Sequence, residues 1–371
     1  METTSARADA FPGPALQPGQ GLQPDSGLQP GPGILPDPAI LKDRLAAFLD
    51  ERGVTWDAVL READQGVGSP ALAVAAGSVP AGFGNHRSDL DLFVLVENDR
   101  LTRFPIQSHE HGTLIDVNIR RASAVRDTTA DLRSRPWPRF DSVGESGWNH
   151  RRRAINTANR LALGLPLLAT PPWDAWHADL RGPWHADVVE QWWTVEAHRL
   201  AQAARWLLGA KPMAAAARAR EAVVAALNAR AAAGGQVYFP AKWVGEKLKA
   251  LDDAEGLAVL GDVLAPPLDP RERAPHCLDL VHDLVGEAAP LHAVLRWSTG
   301  VGTTVLDDRT IVDRWQLRAL EVLRSDLPHD DSDAIVWSGP AGSALPDDLL
   351  PLFAGDMLWL GVAHPAPEVP A

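Results

Sequence analysis

Between Ala71 and Val96 the chain holds two short apolar runs, separated by a stretch too rich in glycine to continue either. Ala71 to Ala76 is small and apolar and stops at Gly77-Ser78; Leu90 to Val96 resumes the pattern, with Asp89 and Asp91 at its start. Apolar runs of this length bounded by turn residues are those of buried strands. The chain must therefore build a sheet in this region. Thr113 to Ile119 has the β-branched composition of a third strand, and residues 122–134 read as a helix closing the unit. Ahead of the strands, Ile40, Leu41, Leu45, Phe48 and Leu49 recur at helical spacing from Pro38. Thr55 is placed to cap a second helix carrying Trp56, Val59 and Leu60.

The flanking segments have other textures. From Phe11 to Pro38 proline, glycine and glutamine dominate, and Leu-Gln-Pro recurs at Leu16, Leu22 and Leu28. Such a composition cannot bury enough apolar surface to offset its ordering entropy, so residues 1–37 read as a disordered tail, or as a docking arm for a partner protein. From Trp148 to about Val285 helical signals prevail, with Ala, Leu and Trp spaced for helix packing. After Thr299 the texture is mixed, with a helix expected at about Val312 to Leu323, a strand around Ala334 to Trp337 and a proline-rich end. The expected division is a tail at 1–37, an α/β unit at 38–135, a helical bundle at 136–298 and a small extension of unknown role at 299–371.

Composition narrows the classes of partner. Lys plus Arg total 35 against 48 Asp plus Glu in 371 residues, a formal charge of −13, which disfavours a protein that grips long phosphate backbones. Nucleic acid is therefore not the expected partner. Cys277 is the single cysteine, so neither an intramolecular disulfide nor a cysteine-rich zinc site is available. No window has the length of uninterrupted apolar sequence that a membrane span needs, and the N-terminus lacks the order of a signal peptide. The expectation is a soluble, cytoplasmic protein.

The chemistry-bearing residues lie in the glycine-rich stretch. A Gly-Ser turn directly after a strand leaves backbone N–H groups and one hydroxyl free to hold a phosphate, because glycine permits the sharp turn and the close approach. The two-residue period of a strand then points Asp89 and Asp91 to one face, where they can share divalent cations. Paired carboxylates beside such a turn suggest metal-assisted phosphoryl or nucleotidyl transfer. The same residues also fit a surface turn followed by two solvated aspartates.

Taken in order, Gly77-Ser78, Gly82 and Ser88-Asp89-Leu90-Asp91-Leu92 resemble the motif of the nucleotidyltransferases of the polymerase-beta superfamily. The resemblance covers less than a twentieth of the chain. It implies an α/β (α+β) catalytic domain with a mixed sheet, followed by a mainly α-helical domain that closes the cleft. It also implies a third carboxylate on a neighbouring strand, to which Asp116 in Leu114-Ile115-Asp116-Val117-Asn118 corresponds. The implied chemistry uses two Mg²⁺ ions. Asp89 and Asp91 would hold the ion on a nucleoside triphosphate, ATP by family habit, and with Asp116 a second ion that activates an acceptor hydroxyl. Gly77 and Ser78 would hold the β and γ phosphates, with Ser88 in the same nucleotide-binding segment, and pyrophosphate would leave. The implied acceptor is a hydroxyl-bearing small molecule. Two alternatives stand beside it: transfer to a partner protein, and a catalytically inactive module that binds.

Tyr238 to Leu248 is an aromatic and basic patch within an acidic chain. Antibiotic nucleotidyltransferases bring a lysine from the helical domain to the triphosphate, and by that resemblance Lys242 and Lys247 are the candidates. His109-Glu110-His111 would put two histidines on one strand face, a spacing a metal can use, but without an evident third ligand. Ser298-Thr299-Gly300-Val301-Gly302-Thr303 lacks the lysine of a P-loop and reads as a linker.

Overall fold

The structure is a computed structural model that describes residues 35–365 apart from 65–68, 99, 102, 136, 141, 266–268, 289, 307–308 and 323–333. The expected tail thus lies outside the described residues, except for its last three. The Asp37 side chain accepts the Ala39 N–H, and Pro38 supplies the first turn of α1 (Pro38–Arg52), which Gly53 ends in the left-handed conformation. Thr55 Oγ1 accepts from the Ala58 N–H at 3.2 Å, the cap expected for α2 (Trp56–Asp64).

Strands β1 (Leu72–Ala76), β2 (Leu90–Val96), β3 (Arg103–Glu110) and β4 (Thr113–Arg121) follow, then α3 (Ala122–Ser134), α4 (Glu145–Ala162) and β5 (Leu165–Ala169). The five strands form one sheet in the order β3-β4-β2-β1-β5. It is mixed, since β2 and β4 run parallel while the other neighbours are antiparallel. Pro166 lies on β5, an edge strand, where a missing N–H is tolerated.

Both faces of the sheet are covered, and alternation along each strand decides which residue goes where. One face, with Ala73, Ala75, Leu92, Val94 and Val117, packs under Leu41, Leu45, Phe48 and Val59 of α1 and α2. The other face, with Leu72, Val74, Phe93 and Leu95, joins a core that runs without a break through α3 and α4 into the helices beyond. Those helices are α5 (Pro171–Leu180), α6 (Trp184–Leu207), α7 (Pro212–Ala233), α8 (Val244–Ala250), α9 (Ala254–Leu264) and α10 (Pro270–Val285). Residues 145–285 are mainly helical, and the alanine face of α7, including Ala215, Ala219, Ala222 and Ala226, is fully buried.

The C-terminal part corrects two expectations. The helix expected from Val312 is a hairpin: β7 (Val301–Leu306), β8 (Arg309–Arg314) and β9 (Arg318–Val322) form an antiparallel sheet. Its turn places Trp315 and Gln316 at φ 52° and 58°, a local geometry that no helix can carry. Pairing of the β-branched run Thr310-Ile311-Val312 with β7 overrides the helical spacing of the apolar residues. The glycine-rich linker is the entry to β7, where Gly300 at φ +81° seats the Trp315 ring so closely that a Cβ would lie 1.7 Å from its Nε1. A second antiparallel sheet sets β6 (His292–Trp297) between β10 (Ile335–Pro340) and β11 (Leu358–Ala363), with α11 (Leu350–Ala354) just before the last strand. The strand expected around Ala334 to Trp337 is β10. His111 lies in the β3–β4 turn at φ 48°, so it shares no strand face with His109.

Candidate active site

The site lies where β1 ends. Gly77 leaves the strand at φ +86°, a conformation that favours glycine, and a second requirement is steric: a Cβ there would sit 2.1 Å from Asp91 Oδ2. The Asp91 carboxylate therefore rests against the backbone of the turn. The register explains the meeting, since Ala76 is directly opposite Asp91 across the β1–β2 pair. Beyond Ser78 the chain coils tightly, with the Phe83 N–H donating to Ser78 O at 2.8 Å and the Gly82 N–H to Val79 O at 3.0 Å. Ser88 closes the loop. Its N–H donates to Asn85 O, its Oγ accepts from the Asn85 N–H at 2.9 Å, and its Oγ lies 3.4 Å from Ser78 Oγ. Ser88 thus shapes the turn and touches Ser78.

Asp89, Asp91 and Asp116 share the sheet face that carries Phe93 and Leu95. Asp89 is exposed, Asp116 is half-buried and level with Asp91 across the parallel β2–β4 pair, and Asp91 is 8% exposed. Burial raises the Asp91 pKa to about 6. Arg160 opposes the shift, while the charges of Asp89 and Asp116 add to it. The donors suit a hard divalent cation, three carboxylates on one face whose mutual repulsion is not fully compensated. Among the described residues no three His, Cys, Asp or Glu side chains converge into a formed cage, and one Asp91 oxygen is engaged by Arg160.

Arg160 is the residue that sequence reasoning missed. It projects from the last turn of α4, and its Nη1 donates to Asp91 Oδ1 at 2.8 Å. Its guanidinium lies 5.8 Å from the centroid of Phe93, two residues further along the same face of β2. Arg120 of β4 stands over that ring too and donates to Thr157 of α4 at 3.1 Å. No local pattern distinguishes Arg160 from the other arginines of α4, because its role comes from the crossing of helix and sheet.

The aromatic patch does reach the site. Phe83, in the glycine-rich loop, stacks on Tyr238 with centroids 5.3 Å apart and on Trp243 at 5.8 Å. Tyr238 has its pKa pushed up to about 12, chiefly by burial; Arg160 works against the shift, and Asp91 and Asp89 add to it. Asn159, next to Arg160, pins this segment: its Nδ2 donates to Val237 O at 2.7 Å and its Oδ1 accepts from the Phe239 N–H at 2.8 Å. Lys242 is exposed, with Nζ 5.4 Å from the centroid of the Trp243 ring. Lys247 is not brought to the site. It is 1% exposed, and its Nζ donates to Asn228 Oδ1 of α7 at 2.6 Å. Burial lowers its pKa to about 7. Lys242 lies in the 3-10 turn Ala241–Trp243 ahead of α8, whereas Lys247 is on the buried face of α8 with Val244 and Leu248.

No family model matches this chain, and no curated protein matches it either. Among solved structures it is similar to a nucleotidyltransferase-like protein from Exiguobacterium sibiricum 255-15, with 12% identity and a TM-score of 0.37 over 61% of this chain and 72% of that one. A likeness of that size carries no inference about the chemistry.

Proposed function

We propose that the chain is a metal-dependent nucleotidyltransferase that moves a nucleoside monophosphate, AMP from ATP in the first instance, to a hydroxyl of a small-molecule acceptor, releasing pyrophosphate. One observation carries the reading: the Asp91 carboxylate rests on Gly77 of the Gly-Ser turn, with Asp89 exposed beside it and Asp116 level on the next strand. In this reading the turn amides and Ser78 Oγ donate to the terminal phosphates, and Lys242 adds positive charge at the mouth. Asp89, Asp91 and Asp116 would hold Mg²⁺, which when bound neutralises phosphate charge and lowers the pKa of the acceptor hydroxyl. Asp91 would exchange Arg160 for the metal, and the released guanidinium is then free for a phosphate oxygen. A protein hydroxyl as acceptor uses the same residues.

The Arg160–Asp91 ion pair also favours a second reading, a non-catalytic binding module in which an internal cation replaces the metal. Calorimetric titration with each nucleoside triphosphate, with and without Mg²⁺, separates the two. The expected result is binding of one triphosphate that needs Mg²⁺ and disappears in the Asp89→Asn, Asp91→Asn double variant. If no triphosphate binds with any divalent metal, the transferase reading fails and the module remains.

A further inference from the structure

A separate cleft of about 550 Å³ opens between α6, the segment after α10 and the end of β11. From α6 it takes Asp187, Glu190, Gln191, Thr194 and His198, which at about 3.6 residues per turn fall on one stripe. Trp192 and Trp193 lie on the other side of the helix, in tilted contact with Phe239, the neighbour of Tyr238 at the Gly77–Asp91 site. The cleft and that site therefore lie on opposite sides of α6. Glu287, after α10, adds a third carboxylate, and none of the fourteen lining residues is Lys or Arg.

Two further observations make this more than a group of acidic residues. His198 lines the cleft and is 7% exposed, yet no hydrogen bond to it exists among the described residues. Burial, joined by the charge of Arg205 further along α6, holds its pKa down at about 4. His198 is thus a neutral imidazole facing the cavity with hydrogen-bonding capacity to spare. The rest of the lining is largely apolar, with Val188 and Val195 beside the acidic stripe on α6 and Val285 and Leu291 across from it, next to Glu287 and His364. Glu190 has its pKa raised by partial burial and by Asp187, so these carboxylates carry repulsion that an incoming cation relieves.

We propose that this cleft binds a small organic polycation of the polyamine class, its ammonium groups on Asp187, Glu190 and Glu287, one N–H on His198 and its methylene chain along the valine and leucine wall. The division of the lining selects this class. A bare metal ion has no use for the apolar wall, and an apolar ligand has none for three carboxylates. The site is independent of the proposed transferase chemistry.

The test is calorimetric titration of the full chain with spermidine at physiological ionic strength. The expected result is saturable binding that weakens about tenfold or more in Asp187→Asn, Glu190→Gln and weakens also in Glu287→Gln, which comes from another segment. All the altered side chains are exposed, so the fold, checked by circular dichroism, should be kept. The Asp89→Asn, Asp91→Asn variant should bind spermidine as the wild type does. The proposal is overturned if no saturable binding occurs, if that last variant loses affinity equally, as general attraction to an acidic chain would produce, or if Mg²⁺ alone binds the same three carboxylates as tightly as spermidine.

Discussion

At the scale of single residues, Gly77 bears the largest constraint. Any side chain there meets both a left-handed backbone and the Asp91 carboxylate. Gly77→Ala is expected to cost about 1–3 kcal/mol of stability and to push Asp91 from its place. The check is a melting curve combined with triphosphate titration: lower stability together with lost binding is expected, whereas undiminished binding would show that contact of turn and carboxylate is dispensable. Strand periodicity alone put Asp89 and Asp91 on a common face and the Gly77-Ser78 turn was legible from its glycine, whereas Asp116 was reached only through the resemblance of the motif. Arg160 was not, because nothing local reports which arginine of a helix will cross a given strand. Lys242 and Lys247 looked alike in sequence, and only packing against Asn228 shows that one of them is a core residue.

Among the elements, α4 does two things with adjacent residues: Arg160 pairs with Asp91, and Asn159 pins Val237 and Phe239. His185 completes the second arrangement, with Nε2 2.9 Å from Asn159 Nδ2. Asn159→Ala removes a fully buried polar hub and leaves the Phe239 N–H and Val237 carbonyl without their partner, at a cost of about 2–4 kcal/mol. It should also loosen Tyr238 from Phe83. Tyr238 is the single tyrosine, so the tyrosinate absorbance reports this one contact. The phenol should ionise near 12 in the wild type and lower, towards 10.0, in the variant; an unchanged titration would mean that the segment is held by its aromatic stacking alone. The central strands, α1 to α3 and the helical stretch were readable from periodicity. The C-terminal hairpin was not, because Val312, Trp315 and Leu320 match a helix nearly as well as a strand, and pairing with β7 decided between them.

Across the whole molecule, buried titratable groups compete to set the response to acid. His185 and His198 have pKa values of about 4 in the folded state, against 6.5 for an ordinary histidine, so the unfolded chain binds their protons first and stability falls as pH drops from about 6.5 towards 4. Asp91 acts in the opposite sense. Its folded pKa of about 6 lies above the ordinary 3.8, so its contribution is lost as pH rises through that window. Two histidines outweigh one aspartate, each full shift being worth roughly 3 kcal/mol, and the melting temperature is expected to fall between pH 7 and pH 5. His185→Gln, which can accept the same bond without titrating, should flatten that slope; if the slope persists unchanged, His185 is not a source of it. The β10-β6-β11 sheet has a consequence of another kind. The inner strand β6 obtains one of its two neighbours only from Leu358–Ala363, so during synthesis its flank stays open until the ribosome has delivered residue 363. A chain that stops short of that point leaves β6 with one edge unpaired, and an unpaired apolar edge is a site for association with other chains.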